Sequence, residues 1–206
     1  MGDILVDRPV EIISAVLKVT EEQIVQMIRQ SMLAGNLPFG AAVLHQSSLS
    51  PFTVSVNKVQ KSPLLHGETN CIREFFLNPS DKRPPTDSCL FFATHEPCAL
   101  CLSAISWTGF SHVCFLFTHE DIRDLLGMDG DIDILEEVFR VAAPSDTNES
   151  LAARPLYNRD NRYFKARSVA ELLDQVEGGA EKERLDGEIQ RVRSLFDEFA
   201  RSEGTS

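Results

Sequence analysis

The order of elements in the chain predicts an α/β fold, and three observations carry that expectation. Ala41 to Leu44 and Phe52 to Val56 have strand character and are joined by a polar, serine-rich connection, as in an antiparallel hairpin. Cys89 to Thr94 and Val113 to Phe117 are continuous apolar runs, the pattern of strands buried on both faces. A helical stretch lies between those two runs with short links, which implies parallel neighbours joined by a right-handed crossover.

Taken in order, residues 1 to 19 hold scattered apolar positions and Pro9, a lead-in with room for one short helix. Thr20 with Gln23 reads as a capping box that opens a helix, whose face is marked by Ile24, Met27, Ile28 and Leu33 and which Gly35 ends. Leu37-Pro38-Phe39-Gly40 is a turn into the first strand. Asn57 closes the second strand, where tolerance of the turn conformation is enough to explain an asparagine. Leu65 to Leu77 reads as a helix, with Leu65, Ile72, Phe75 and Phe76 available for burial and His66, Glu68 and Asn70 near its start.

Asn78 to Ser88 is a Pro-, Asp- and Ser-rich loop. Pro97 suits the first residue of the next helix, where its missing N–H costs nothing. That places Cys98 and Cys101 on the first turn, facing the same way, where the positive end of the helix favours thiolates. Further helices are expected around Asp121 to Leu126 and Ile132 to Val141, then a polar loop from Ala142 to Ala153 and an aromatic segment from Tyr157 to Phe164. Val169 to Val176 and Glu181 to Ala200 read as helices separated by Gly178-Gly179. In the last of these, Leu185, Ile189, Val192, Phe196 and Phe199 form an apolar stripe that suits packing on its own domain or a subunit contact equally. Only the last few residues look disordered.

The chain of 206 residues with 43% hydrophobic content is long enough for one well-buried core. We divide it into a lead-in (1–19), a catalytic domain (20–165) and a helical extension (166–206). A net charge of −11 disfavours polymeric nucleic acid as a substrate, because that affinity comes from clustered Lys and Arg. Of five cysteines, Cys71, Cys89 and Cys114 sit in apolar runs and read as buried thiols, which suits a reducing cytosol. No basic region precedes an apolar run at the N-terminus, and no apolar stretch approaches membrane-spanning length. Met1-Gly2 is followed by Val6, so it does not read as a myristoylation signal. The expectation is a soluble cytoplasmic protein.

The chemistry centres on His66-Gly67-Glu68 and Pro97-Cys98-Ala99-Leu100-Cys101. His66, Cys98 and Cys101 are three zinc donors, a number that leaves one tetrahedral position for water. A Cys-x-x-Cys alone also describes a redox pair, but that reading leaves His66 and Glu68 unexplained. A structural zinc would leave the site one ligand short. With Zn2+ as cofactor, Glu68 is placed to take a proton from the metal-bound water, leaving hydroxide to attack an amine-bearing ring carbon. It would then hand protons to the ring nitrogen and the departing ammonia.

These residues, with Glu96 before Pro97, resemble the cytidine and deoxycytidylate deaminase superfamily. Pro38-Phe39-Gly40-Ala41, Asn57, Ile72-Arg73 and the run from Cys101 to Trp107 resemble its branch of guanine deaminases and tRNA adenosine deaminases. The resemblance spans roughly residues 20 to 165. It implies a three-layer α/β/α fold on a central mixed sheet of five strands, and a homodimer. It also implies that Asn57 hydrogen-bonds the substrate base, that Phe39 borders the base, and that the main-chain amide at Ala99 helps hold the attacking oxygen. Asp129 or Asp131 matches an acidic base contact, the register leaving both open. The segment from Tyr157 to Phe164 would close over the base, with Phe164 as a contact, unless its aromatics only pack.

The sequence departs from the guanine deaminase pattern at Gly67, which is found in yeast-type cytosine deaminases, and from about Ser168 the tail has no counterpart. The reading is a zinc hydrolase that deaminates a nucleobase or nucleoside, guanine-like purines before cytosine or cytidine. The alternative is a non-catalytic zinc-bearing subunit of a deaminase complex, against which Glu68 speaks.

Overall fold

The computed structural model describes residues 3–203; the terminal residues expected to be disordered, 204–206, lie outside them. The hairpin forms from β1 (Gly40–His45) and β2 (Pro51–Val56), antiparallel, with Ala41 opposite Ser55 and a slip of register between Val43 and Leu44. On its other side β1 pairs antiparallel with β3 (Cys89–His95), which pairs parallel with β4 (His112–Phe117). β4 pairs parallel with β5 (Lys165–Ser168), giving the order β2-β1-β3-β4-β5. The sheet is mixed and five-stranded, and β3 at its centre is buried along its whole length.

Alternation along the strands sorts side chains into two cores. Ala41, Val43, Phe91, Ala93, Val113 and Phe115 face α4 (Gly67–Leu77) and α5 (Ala99–Thr108), meeting Cys71, Ile72, Phe75, Leu102 and Ile105. Ala42, Leu44, Leu90, Phe92, Cys114 and Leu116 belong to the opposite cluster. That side is covered by α1 (Ile4–Asp7), α2 (Pro9–Val19) and α3 (Val25–Met32), and by α9 (Val169–Asp174), α10 (Gly179–Ser194) and α11 (Asp197–Glu203). Between β4 and β5 the chain forms α6 (His119–Leu126), α7 (Gly130–Ile134) and α8 (Asn148–Ala152). No described helix is long and apolar enough to cross a membrane.

Several expectations change. The first long helix starts not at Thr20 but at Pro9, with proline in the first turn, and passes through Thr20 by a π-type turn (Thr20–Ile24). Thr20 is fully buried and its hydroxyl donates to the Val16 carbonyl at 2.6 Å, so it bonds back along the helix instead of capping it. Leu33 and Phe76, expected in the core, are exposed; Phe75 takes the core position, and the Arg83 guanidinium lies 4.7 Å over the Phe76 ring. Pro97 precedes the helix, so Cys98 is the N-cap of α5. The expected helix from Ile132 to Val141 is α7 followed by a π-type turn over Leu135–Phe139, and the loop after it contains α8, capped by Thr147.

Residues of the lead-in and of the helical extension share one core. Ile12, Ile13, Val16 and Leu17 cluster with Val169, Leu172, Leu185, Ile189, Val192, Phe196 and Phe199. The apolar stripe of the last helices is therefore spent within the chain. Cys71, Cys89 and Cys114 are free and buried, and burial raises each thiol, Cys89 to about 11.

Candidate active site

Two helix N-termini bring the donors together. His66 is the N-cap of α4 and Cys98 the N-cap of α5, both with extended backbone, and Cys101 sits one turn into α5. Asn70 fixes α4 against the hairpin by donating to Ser55 Oγ at 2.5 Å and to the Val56 carbonyl at 3.0 Å. Gly67 lets the helix start lie against β1: a Cβ there would meet Gly40 Cα and N and the Phe39 carbonyl carbon at 3.1 Å. Glycine at this position answers to packing, and so does not argue for a pyrimidine substrate.

His66 Nδ1 lies 3.5 Å from Cys98 Sγ and 3.7 Å from Cys101 Sγ, and the three ligand atoms all fall within 4.8 Å of one another. Zinc–sulfur and zinc–nitrogen bonds of ordinary length at a tetrahedral angle place sulfur and nitrogen about 3.6 Å apart. The cage fits zinc, with one position left over.

A hydrogen bond from Cys101 is the largest influence on Cys98; burial opposes it, His66 adds to it, and the Cys98 thiol falls to about 4. Cys101 is pushed up, first by that same hydrogen bond and then by burial. His66 is raised, chiefly by its bond to Cys98. Glu68 is 7% exposed; burial, then the nearby Cys98 charge, raise its carboxyl to about 7.

His66 and Cys98 open on a cavity of about 100 Å³ bordered by Phe39, Asn57, Glu68, His95, Glu96 and Asp131, with Met128 at its edge. Asn57 is nearly fully buried, and its Oδ1 accepts from the main-chain N–H of Val59 at 3.1 Å and of Leu37 at 3.3 Å. Its Nδ2 is buried without a partner among the described residues. The asparagine thus does hold a turn, and its amide group is left over. Asp131 borders the cavity and burial raises its carboxyl; Asp129 is exposed and does not border it. Ala99 is the first residue of α5, next to Cys98.

Phe164 is not at the cavity. It is buried in the core between the sheet and α4 and α5. Tyr157 donates to Glu96 Oε1 at 2.6 Å, and Arg159 pairs with the same oxygen at 2.6 Å. The aromatic segment is held by packing and by Glu96, away from the cavity. A larger depression of about 760 Å³, on the side of Glu96 that carries Tyr157, Arg159 and His119, contains none of the metal donors. His95 and Met128 were not singled out by sequence, and Glu96 only as the residue before Pro97; the one signal for His95 is a polar residue ending an apolar strand beside that motif.

Fold and site together define a zinc-dependent deaminase. Residues 18–117 match the family model of the cytidine and deoxycytidylate deaminase zinc-binding region. No curated protein matches the chain in sequence. Among solved structures the chain is similar to a guanine deaminase from Nitrosomonas europaea, at 19% identity over 81% of each chain with a TM-score of 0.47. It is also similar to a guanine deaminase from Bacillus subtilis, at 24% identity over 68% of this chain and 93% of that one, TM-score 0.47. A tRNA:A34 deaminase is similar at 18% identity over 49% of this chain and 76% of that one, TM-score 0.42.

Proposed function

We propose that this site hydrolytically deaminates a nucleobase, a guanine-like purine in preference to cytosine. The observation that carries the proposal is Glu68, buried beside three zinc donors and bordering the cavity on which the site opens. A zinc ion held by His66, Cys98 and Cys101 would supply a reactive water at neutral pH and polarise the reacting centre. Glu68 accepts the proton of the water as oxygen adds to the amine-bearing ring carbon. It delivers that proton to the ring nitrogen, then takes the second proton of the added oxygen and passes it to the leaving amine. Base and water go in; the oxo base and ammonia come out. Proton transfer of this kind contributes about a hundred- to ten-thousandfold.

Specificity follows from the groups left over at the cavity. Asn57 Nδ2 offers a donor, and Asp131 offers an acceptor when ionised. Guanine brings carbonyl and ring-nitrogen acceptors to the amide and ring N–H groups to the carboxylate. Adenine has no carbonyl and no N–H in its six-membered ring, so the carboxylate would face a lone pair. The cavity is well below the ~300–1,000 Å³ of sites for drug-sized ligands, which favours a free base over a nucleoside. The homodimer belongs to the same proposal: Leu100 and Trp107 on α5 and Leu77 on α4 are exposed apolar residues that a second copy would cover.

The test is ammonia release from guanine, guanosine, cytosine, cytidine and adenine by the zinc-loaded protein. The expected result is turnover of guanine, lost by at least a hundredfold in Glu68→Ala while metal analysis shows zinc retained. Silence across the panel at full zinc occupancy would replace this reading with that of an assembly subunit.

A further inference from the structure

We propose that His95 is a specificity-determining residue of this pocket, presenting its Nε2 as a hydrogen-bond acceptor to a ring N–H of the substrate. The inference rests on the deaminase reading and adds which kind of edge the pocket reads. His95 ends β3, three residues before Cys98, and borders the same cavity as Asn57, Glu68 and Asp131. Its ring is clamped. It stacks on Phe117 with centroids 4.8 Å apart and planes at 16°, and meets Phe39 edge-on at 4.7 Å and Phe196 at 5.5 Å.

The proton on the imidazole is assigned by its neighbour. Thr94 Oγ1 accepts from the Gly40 N–H at 3.0 Å and lies 3.1 Å from the Gly40 carbonyl and 2.9 Å from His95 Nδ1. A hydroxyl has one proton and two acceptor lone pairs. All three contacts are satisfied only if the hydroxyl donates to the Gly40 carbonyl and Nδ1–H donates to the hydroxyl. The reverse assignment, with the hydroxyl donating to Nδ1, leaves the buried Gly40 carbonyl without that donor, which is costly. Nε2 is then a bare lone pair, with no partner among the described residues. Burial pushes the imidazole down to about 3, so the ring stays neutral and the acceptor persists at physiological pH.

The pocket thus sets one donor, Asn57 Nδ2, among two acceptors, Asp131 and His95. A base that satisfies it carries two ring N–H groups and one acceptor, as free guanine does. Blocking the N–H that meets His95 removes a bond and leaves Nε2 facing carbon.

The experiment compares wild type, His95→Phe and His95→Gln, all zinc-loaded, on guanine and its 1-, 7- and 9-methyl derivatives, with 15N NMR of the His95 ring. Phenylalanine keeps the aromatic clamp without the lone pair, and glutamine restores an acceptor. The expected result is a loss of about ten- to a hundredfold in kcat/KM for guanine in His95→Phe, with partial recovery in His95→Gln. One methyl derivative should be discriminated by wild type and no longer by His95→Phe. The ligand-free spectrum should show Nε2 unprotonated. Turnover of guanine unchanged in His95→Phe, or a proton on Nε2, would overturn the inference and leave the deaminase reading standing. If wild type turns over none of the bases, that reading fails. The inference is then decided by adding guanine in the NMR tube: a shift of Nε2 upholds the contact, and no shift overturns it.

Discussion

Asn57 uses the two ends of one carboxamide for different purposes. Its oxygen satisfies two main-chain donors of the turn, and its nitrogen is left buried at the cavity without a partner among the described residues. The turn role was legible in the residue type; the nitrogen's position was not, because it depends on which way the amide is pinned. His95 illustrates the opposite limit. A lone histidine at a strand end carries no pattern, and its clamp is assembled from Phe39, Phe117 and Phe196, which are distant in sequence. His66, Glu68, Cys98 and Cys101 were legible because metal chemistry restricts donor types and spacing. Of the acidic pair, only the fold could choose Asp131 over Asp129.

The buried imidazole makes a prediction about acid stability. Unfolded histidine titrates near 6.5, while in the folded protein His95 is held to about 3 by burial. Above pH 6.5 both states are neutral and the full stability is present. As pH falls below that value the unfolded chain takes up a proton that the folded one refuses, so stability is lost, by about 4–5 kcal/mol on reaching pH 3. The difference between wild type and His95→Phe in urea titrations from pH 7 to 4 should show wild type losing more. Equal losses would mean that the ring can be protonated in place.

Among the elements, Thr20 shows how one sequence signal can have two physical origins. Thr-x-x-Gln reads as a capping box, yet the hydroxyl is satisfied by the Val16 carbonyl inside a continuous helix. Both uses place a threonine beside an amphipathic run, so local sequence does not separate them. The two origins differ in what a substitution costs. Thr20→Val fills the same volume without needing a partner, so the denaturation midpoint should stay within about 0.5 kcal/mol of wild type. A true cap would lose about 1 kcal/mol or more. β5 escaped notice for another reason: Lys165–Ser168 is too short and too polar to show alternation, and its place is fixed by pairing with β4. The catalytic helices were read to within two residues because proline, glycine and the metal donors mark their starts.

Across the whole molecule, the hairpin and the parallel strand–helix–strand unit were legible, each from its own local pattern, while the β1–β3 pairing that joins them is set by the fold. The helical layer that backs the sheet was not. Its apolar stripe fitted a subunit contact as well as a core, and only packing against Ile12, Ile13, Val16 and Leu17 separates the two. Arg193 secures the join: it pairs with Asp121 at 2.7 Å and lies 4.3 Å over the Phe117 ring. Burial pushes the Asp121 carboxyl up, but its bonds to Arg193 and the Thr118 N–H outweigh this and hold it below the usual range. Removing residues 178–206 uncovers the faces of α2 and α9, and the shortened protein should aggregate or lose cooperative unfolding. A truncated form that melts in a single sharp transition near the wild-type temperature would show the layer to be dispensable.

Phe196 touches the His95 ring that borders the cavity, yet it belongs to a segment made long after the metal donors. A ribosome building this chain releases His66, Cys98 and Cys101 well before the residue that clamps His95 from behind. The wall of the cavity is therefore completed late in synthesis, and a fragment that ends before Phe196 has the metal donors without that wall.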